Sequence, residues 1–278
     1  METFNISLPT SWEELTDKQL HLVYELFARD LSAAEVKTLC LMKWNRLVVL
    51  ASLPDKRFII KRDKVANKPN EQRKAGFIAA MAKKLRPKAK EEATLSVRQI
   101  QQATTTLDFL ESLAPVPVRI SKIGRHKAVA ADFEKVPFEK FLYVDNLFQG
   151  YLNTQEEQLL QQMAEVLYDS DKVTPDKAQL VGVFYWMASL KQYFSTQFSN
   201  FYQPASTQDG GNLLGYGSTD LYTKLRDNTN VQIRALTGGD ITKEATILKM
   251  DTWRALTELD AKAKEAEELR KSTSNLSH

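Results

Sequence analysis

Large apolar side chains recur at steps of three and four residues between Leu180 and Phe201. Leu180, Val183, Phe184, Met187, Leu190, Phe194, Phe198 and Phe201 fall along one side of a helix, and Val181, Tyr185 and Trp186 make a second stripe. A helix apolar on two sides has to be covered on two sides, so this stretch predicts a central buried helix with other segments packed around it. Thr174 is its expected cap. Pro175 then occupies the first turn, where a missing backbone N–H costs nothing.

The same period marks helices on either side. Ser11 with Glu14 and Thr16 with Gln19 both fit a capping box, which predicts a helix from about Asp17 to Ala28 with Leu20, Val23, Tyr24 and Phe27 on its inner face. Ser32 with Glu35 opens a second helix that runs to about Val48, and the two are expected to form a helical hairpin. Further helices are expected over 71–85, capped by Asn70, and over 96–113, which ends at Pro115 and Pro117. Thr154 and Glu157 begin another, Gln155 to Tyr168, expected to pack antiparallel on the central helix. Asp220 to Leu236 and a short helix from Asp240 to Leu248 follow. The last helix, from Trp253 to Arg270, turns polar almost all round, with Leu259 and Leu269 as its few apolar anchors, and reads as a projecting tail.

Helical period is absent in three places. Phe58 to Ile60 reads as a short strand flanked by charge. Val116 to Ile123 and Phe138 to Val144 are β-prone pieces around a turn at Gly124, which predicts a small hairpin or irregular β element. Pro204 to Gly217 holds four glycines, has no period and reads as a loop that orders against a partner. The expected fold class is therefore mainly α, a helical bundle with a small β element between two helical parts. Its expected parts are an N-terminal helical part over 1–114, a β-prone connector over 115–150, and a C-terminal helical part over 151–278.

Composition refines this picture. The proportion of apolar and charged residues is that of a folded globular chain of 278 residues. Neither a basic-then-apolar leader nor an apolar run long enough to span a bilayer is present, so no membrane partner is expected. Cys40 is the only cysteine, which excludes an internal disulfide, and its neighbours Leu39, Leu41 and Met42 make it a packed thiol. Net charge is only +3, yet residues 56–90 carry thirteen Lys or Arg against Asp63 and Glu71. That stretch has two readings. Arg73, Lys74, Lys83, Lys84, Arg86 and Lys88 either make a solvated face that keeps the chain soluble or contact a nucleic-acid backbone.

Signatures of catalysis are not found. His21, His126 and His278 are scattered, none at ligand spacing from another or from Cys40, so no metal is expected. Gly210, Gly211, Gly215 and Gly217 do not form a phosphate loop, since no lysine follows them, and Asp240 after Gly238 and Gly239 would repel a phosphate. Acidic pairs lie on polar helical stretches with nothing to shift their pKa, so no catalytic residue and no cofactor are expected. The aromatic concentration late in the central helix has two readings as well. It is core, or Phe194, Phe198, Phe201 and Tyr202, with Trp253, form an adhesive surface for another subunit.

Four stretches carry a family resemblance: LPTSWEELTDKQLHLVYELF at the start, QLLQQMAEVLYDSD with VFYWMASLKQYFSTQFSNFY in the middle, and ALTGGDITKEATILKMDTWRALTELDAKAKEAEE at the end. Together they resemble proteins encoded in the tail-gene regions of bacteriophages and prophages, among them tail assembly chaperones and small virion components. The resemblance covers the two ends and the central helices but not 56–90, and it brings no residue-level site with it. It implies a non-enzymatic assembly or structural protein of the tail or neck region, with other tail or neck proteins or further copies of itself as partners. The implied location is the host cytoplasm during assembly, or the virion. The alternative is a nucleic-acid-binding protein that uses the basic stretch 56–90.

Overall fold

The computed structural model describes residues 6–29, 31–62, 92–202 and 218–275. The expected helix over 71–85, the six basic residues placed on or after it, and the expected glycine loop at 204–217 lie outside the described residues. The fold is mainly α with a small antiparallel β element.

Helices α1 (Asp17–Phe27) and α2 (Ala33–Trp44) open with the capping boxes read from sequence, Thr16 with Gln19 and Ser32 with Glu35. By its contacts the chain divides into two units, Met1–Glu14 with Leu31–Ser112, and Leu15–Asp30 with Leu113–His278, and the two helices belong to different ones.

In the first unit α2 ends at Asn45, and Arg46 takes a left-handed backbone (φ 54°) that breaks the helix. Leu47 and Val48, expected to be its last turn, instead begin strand β1 (Leu47–Ser52). β1 pairs antiparallel with β2 (Arg57–Arg62), and β2 with β3 (Glu92–Ser96), so β2 is central and β1 and β3 are edges. The adjacent β-branched residues Val48 and Val49 favour this outcome, because their χ1 freedom fits a strand better than a helix. Ser96 then caps α3 (Val97–Thr104) through a capping box with Gln99, and a 3-10 turn continues to Glu111. Two side chains tie this turn down. The Trp12 indole N–H is shared between the carbonyls of Phe109 (3.0 Å) and Ser112 (3.1 Å), and the Lys37 ammonium bonds Asp108 (2.6 Å) and Glu111 (2.5 Å).

The second unit contains the expected central helix. A two-residue ladder, β4 (Lys122–Ile123) with β5 (His126–Lys127), turns at Gly124 (φ +58°), as expected for that position. Phe138 to Val144 is not a β piece. It forms the first turns of α4 (Phe138–Thr154), because Phe138, Phe141, Leu142 and Phe148 sit at helical spacing and all are buried; packing overrides the strand preference of their aromatic rings. α5 (Glu157–Leu167) follows, then α6 (Lys177–Gln197). The cap of α6 is Asp176, not Thr174. Its carboxylate accepts from the Gln179 N–H at 2.9 Å, and the restriction that Pro175 places on the residue before it leaves Thr174 outside the helix. After α7 (Ser218–Thr237), Asp240 caps a 3-10 turn into α8 (Glu244–Leu248), and α9 (Thr252–Asn275) ends the described chain.

Around α6 pack α1, α4 and α5, and α9 closes the cluster through Ala255, Leu256 and Leu259. α1 lies close because Gly182 presents no side chain to it. A Cβ there would stand 2.8 Å from Cδ2 and 3.0 Å from Cε2 of Tyr24. That ring cannot retreat, since it is 1% exposed and stacked on Tyr185 with centroids 5.9 Å apart. Gly182→Ala tests this contact. Alanine is the better helix former by about 1 kcal/mol, but forcing a methyl into a filled site costs about 1–3 kcal/mol. We expect a lower thermal midpoint by circular dichroism, and a raised midpoint would show that α1 does not sit as described.

Candidate protein-binding surfaces

The five aromatic residues read as a possible interface are brought together, but mostly inward. Phe194 is 0% and Phe198 5% exposed, and both rings meet Trp253 edge-on at centroid distances of 5.6 and 5.3 Å. The Trp253 indole N–H is itself bonded to the Asp132 carbonyl (2.8 Å). Phe194 and Phe198 therefore belong to the core of the second unit and offer no outer surface, which is the core reading of this helix. Phe201 and Tyr202 are half-buried in the turns that follow α6, and Asp260 of α9 holds this segment by accepting from the Phe201 N–H (2.9 Å) and the Asn200 amide (2.8 Å). Beyond Asp260, α9 is exposed almost all round. Leu259 is buried, but Leu269 is 67% exposed and anchors nothing.

Beside Tyr202 lies a cavity of about 310 Å³ with both apolar and polar walls. At its wall the Lys191 ammonium stands 2.8 Å from the Asp145 carboxylate and 5.1 Å from the Tyr202 ring centroid. Burial pulls the Lys191 pKa down, but Asp145 and Tyr202 outweigh it and leave the pKa raised; burial also pushes the Tyr202 phenol up to about 12. The remaining polar lining is amide and hydroxyl: Asn146, Gln149, Asn228, Thr229 and Gln232. The compensated ion pair joins α4 to α6, and Asn146 of α4 donates to Thr229 of α7 (3.2 Å).

Thiol chemistry is disfavoured at Cys40, which is fully buried and whose pKa burial pushes up to about 12, so the thiolate needed for attack is suppressed. His21 pairs with Asp176 (2.8 Å) at the cap of α6. Among the described residues no group of three or more His, Cys, Asp and Glu could hold a metal ion, and no helix is long and apolar enough to cross a membrane.

The surface that stands out is in the first unit. In β1, Val48 is 47%, Val49 49% and Leu50 51% exposed, three consecutive large apolar residues on a sheet edge that carries no charge. The other edge is guarded: β3 begins with Glu92 and runs straight into α3. Between Val49 and Ala51 the β1 register shifts by one residue, a bulge that turns Leu50 out of the ladder. On the same unit an apolar groove of about 400 Å³ opens between α2, β2 and α3, with Leu39, Phe58, Val97 and Ile100 in its walls.

Sequence reading placed no site on β1 because it assigned Leu47 and Val48 to a helix. The signal was nonetheless present. LVVLAS and RFIIKR, separated by Leu53-Pro54-Asp55-Lys56, have the composition and spacing of a hairpin. The turn is closed by Leu53 N–H to the Arg57 carbonyl (2.8 Å), with Lys56 left-handed at φ 60°. Comparison of this chain with family models, with curated proteins and with solved structures finds no match, so this geometry carries the functional reading.

Proposed function

We propose that this chain is a non-enzymatic assembly or structural protein that acts by protein contact, in the tail or neck region of a bacteriophage to which its sequence resemblance points. The observation that supports protein contact is the uncharged, exposed apolar edge Val48-Val49-Leu50. Natural sheets guard such edges with charge, proline or a covering element, because an open ladder of N–H and C=O groups pairs with other chains. On this reading the partners are other tail or neck proteins or further copies of the chain, met in the host cytoplasm or kept in the virion.

The test is the mass in solution of the purified full chain, alone and after co-expression with individual tail and neck proteins of its source, at low and at high salt. We expect an oligomer, or a complex with one of those proteins, that survives high salt, since apolar burial does not weaken as ions are added. A monomer that ignores every such protein and holds duplex DNA only at low salt would overturn the reading, because phosphate contacts weaken steeply with salt. Function would then move to the basic residues of 56–90.

A further inference from the structure

We infer that β1 is the docking edge for an extended peptide segment of a partner protein, apolar at its centre and acidic at its flanks. The inference rests on the protein-contact reading and names the chemistry of the partner. Three observations carry it.

The first is the edge itself, which pairs on its outer side with no strand among the described residues. Its six residues hold no charge and no proline, and its exposed apolar side chains alternate to both faces of the sheet. An added strand gains main-chain hydrogen bonds along the ladder and apolar contacts on both sides.

The second is the charge around it. Residues 43–62 contain six basic residues and one acidic one. Lys43, Arg46, Lys56, Arg57 and Lys61 are exposed, while Asp55, the lone acid, is held by Arg57. Lys43 and Arg46 precede the strand, and Lys56 follows its end. A peptide running antiparallel along β1 therefore meets positive charge at both ends, and acidic flanks are what that field attracts.

The third is the bulge, which decides between a peptide and a second copy. Two β1 edges paired about a twofold axis would set the basic flanks of one copy against those of the other. They would also need a straight ladder, which the register shift at Leu50 interrupts. A flexible peptide bends with the strand and can pack against Leu50 where it swings outward.

The experiment uses the full chain and fluorescent synthetic peptides with an alternating Val-Thr centre, flanked on both sides by two Glu or by two Lys, followed by fluorescence anisotropy. We expect the Glu-flanked peptide to bind at least about tenfold tighter than the Lys-flanked one, the sense that opposite charges dictate. Val48→Asp with Leu50→Asp should abolish that binding while circular dichroism stays unchanged, because both positions are exposed. Thr94→Asp, on the other edge strand, should leave it intact. Equal affinity for the two peptides, binding that survives the β1 substitutions, or loss on Thr94→Asp would each overturn the inference. So would a β1-dependent dimer that excludes the peptide. The two readings fail separately: a chain that assembles in salt-resistant form without binding either peptide loses only the β1 assignment, whereas a DNA-binding monomer loses both.

Discussion

Trp186→Ala should destabilise the second unit by about 3–5 kcal/mol, the range for truncating a large buried aromatic. Trp186 is 1% exposed at the centre of α6. Its ring meets Phe133 and Tyr168 edge-on at 6.2 and 6.4 Å, and the Arg119 guanidinium lies 5.9 Å from its centroid. Its indole N–H donates to the Ala131 carbonyl at 2.7 Å. Alanine therefore opens a cavity and also leaves a partly buried acceptor without its donor, which places the effect toward the upper end. Urea unfolding followed by far-ultraviolet circular dichroism measures it. A loss below about 1 kcal/mol, the range of surface substitutions and small repackings, would show that Trp186 is not enclosed. Trp186→Phe separates the two contributions, because it keeps most of the ring packing and removes only the donor.

Lys191→Met should cost about 2 kcal/mol. Pairs on the surface contribute about 0–1 kcal/mol, and removing one member of a fully buried pair costs about 3–5 kcal/mol. Lys191 and Asp145, 23% and 19% exposed, stand between those limits. Most of the loss comes from the Asp145 carboxylate left facing the cavity without a counter-charge. Lys191→Met combined with Asp145→Leu should consequently recover much of it, and a double variant no more stable than the single one would show that the two charges are not coupled. The pH dependence follows from the raised pKa of Lys191. A base whose pKa is higher folded than unfolded contributes stability that is complete below its unfolded value, about 10.4, and that is lost as pH rises through the folded value. The wild-type advantage over Lys191→Met should thus hold across neutral pH and shrink only in strong alkali.

The aromatic cluster also shows why a site cannot be read from composition. Phe194 and Phe198 are more than fifty residues of chain away from Trp253, and only the return of α9 through Ala255, Leu256 and Leu259 converts what could have been an adhesive surface into core. In β1 the reverse holds. Val48, Val49 and Leu50 look like core in sequence, and they are left outside because β1 is an edge with no further strand described beside it. Burial is a property of what arrives from elsewhere in the chain, so an apolar residue alone does not say which side of a surface it occupies.

Local signals were legible wherever the physics is local. The capping boxes at Thr16 and Ser32 and the turn at Gly124 were readable because donors and acceptors three residues apart, or a single left-handed φ, decide them. The double apolar stripe of α6 was readable for the same kind of reason: its period is a property of the helix itself. Tertiary structure alone decided the departure of α1 to the second unit, where Gly182 makes room for Tyr24, and the helical state of Phe138 to Val144, where burial of three phenylalanines outweighed strand preference. It also decided the pairing of Lys191 with Asp145 and the exposure of β1, since each depends on free energy gained only when residues distant in sequence come into contact.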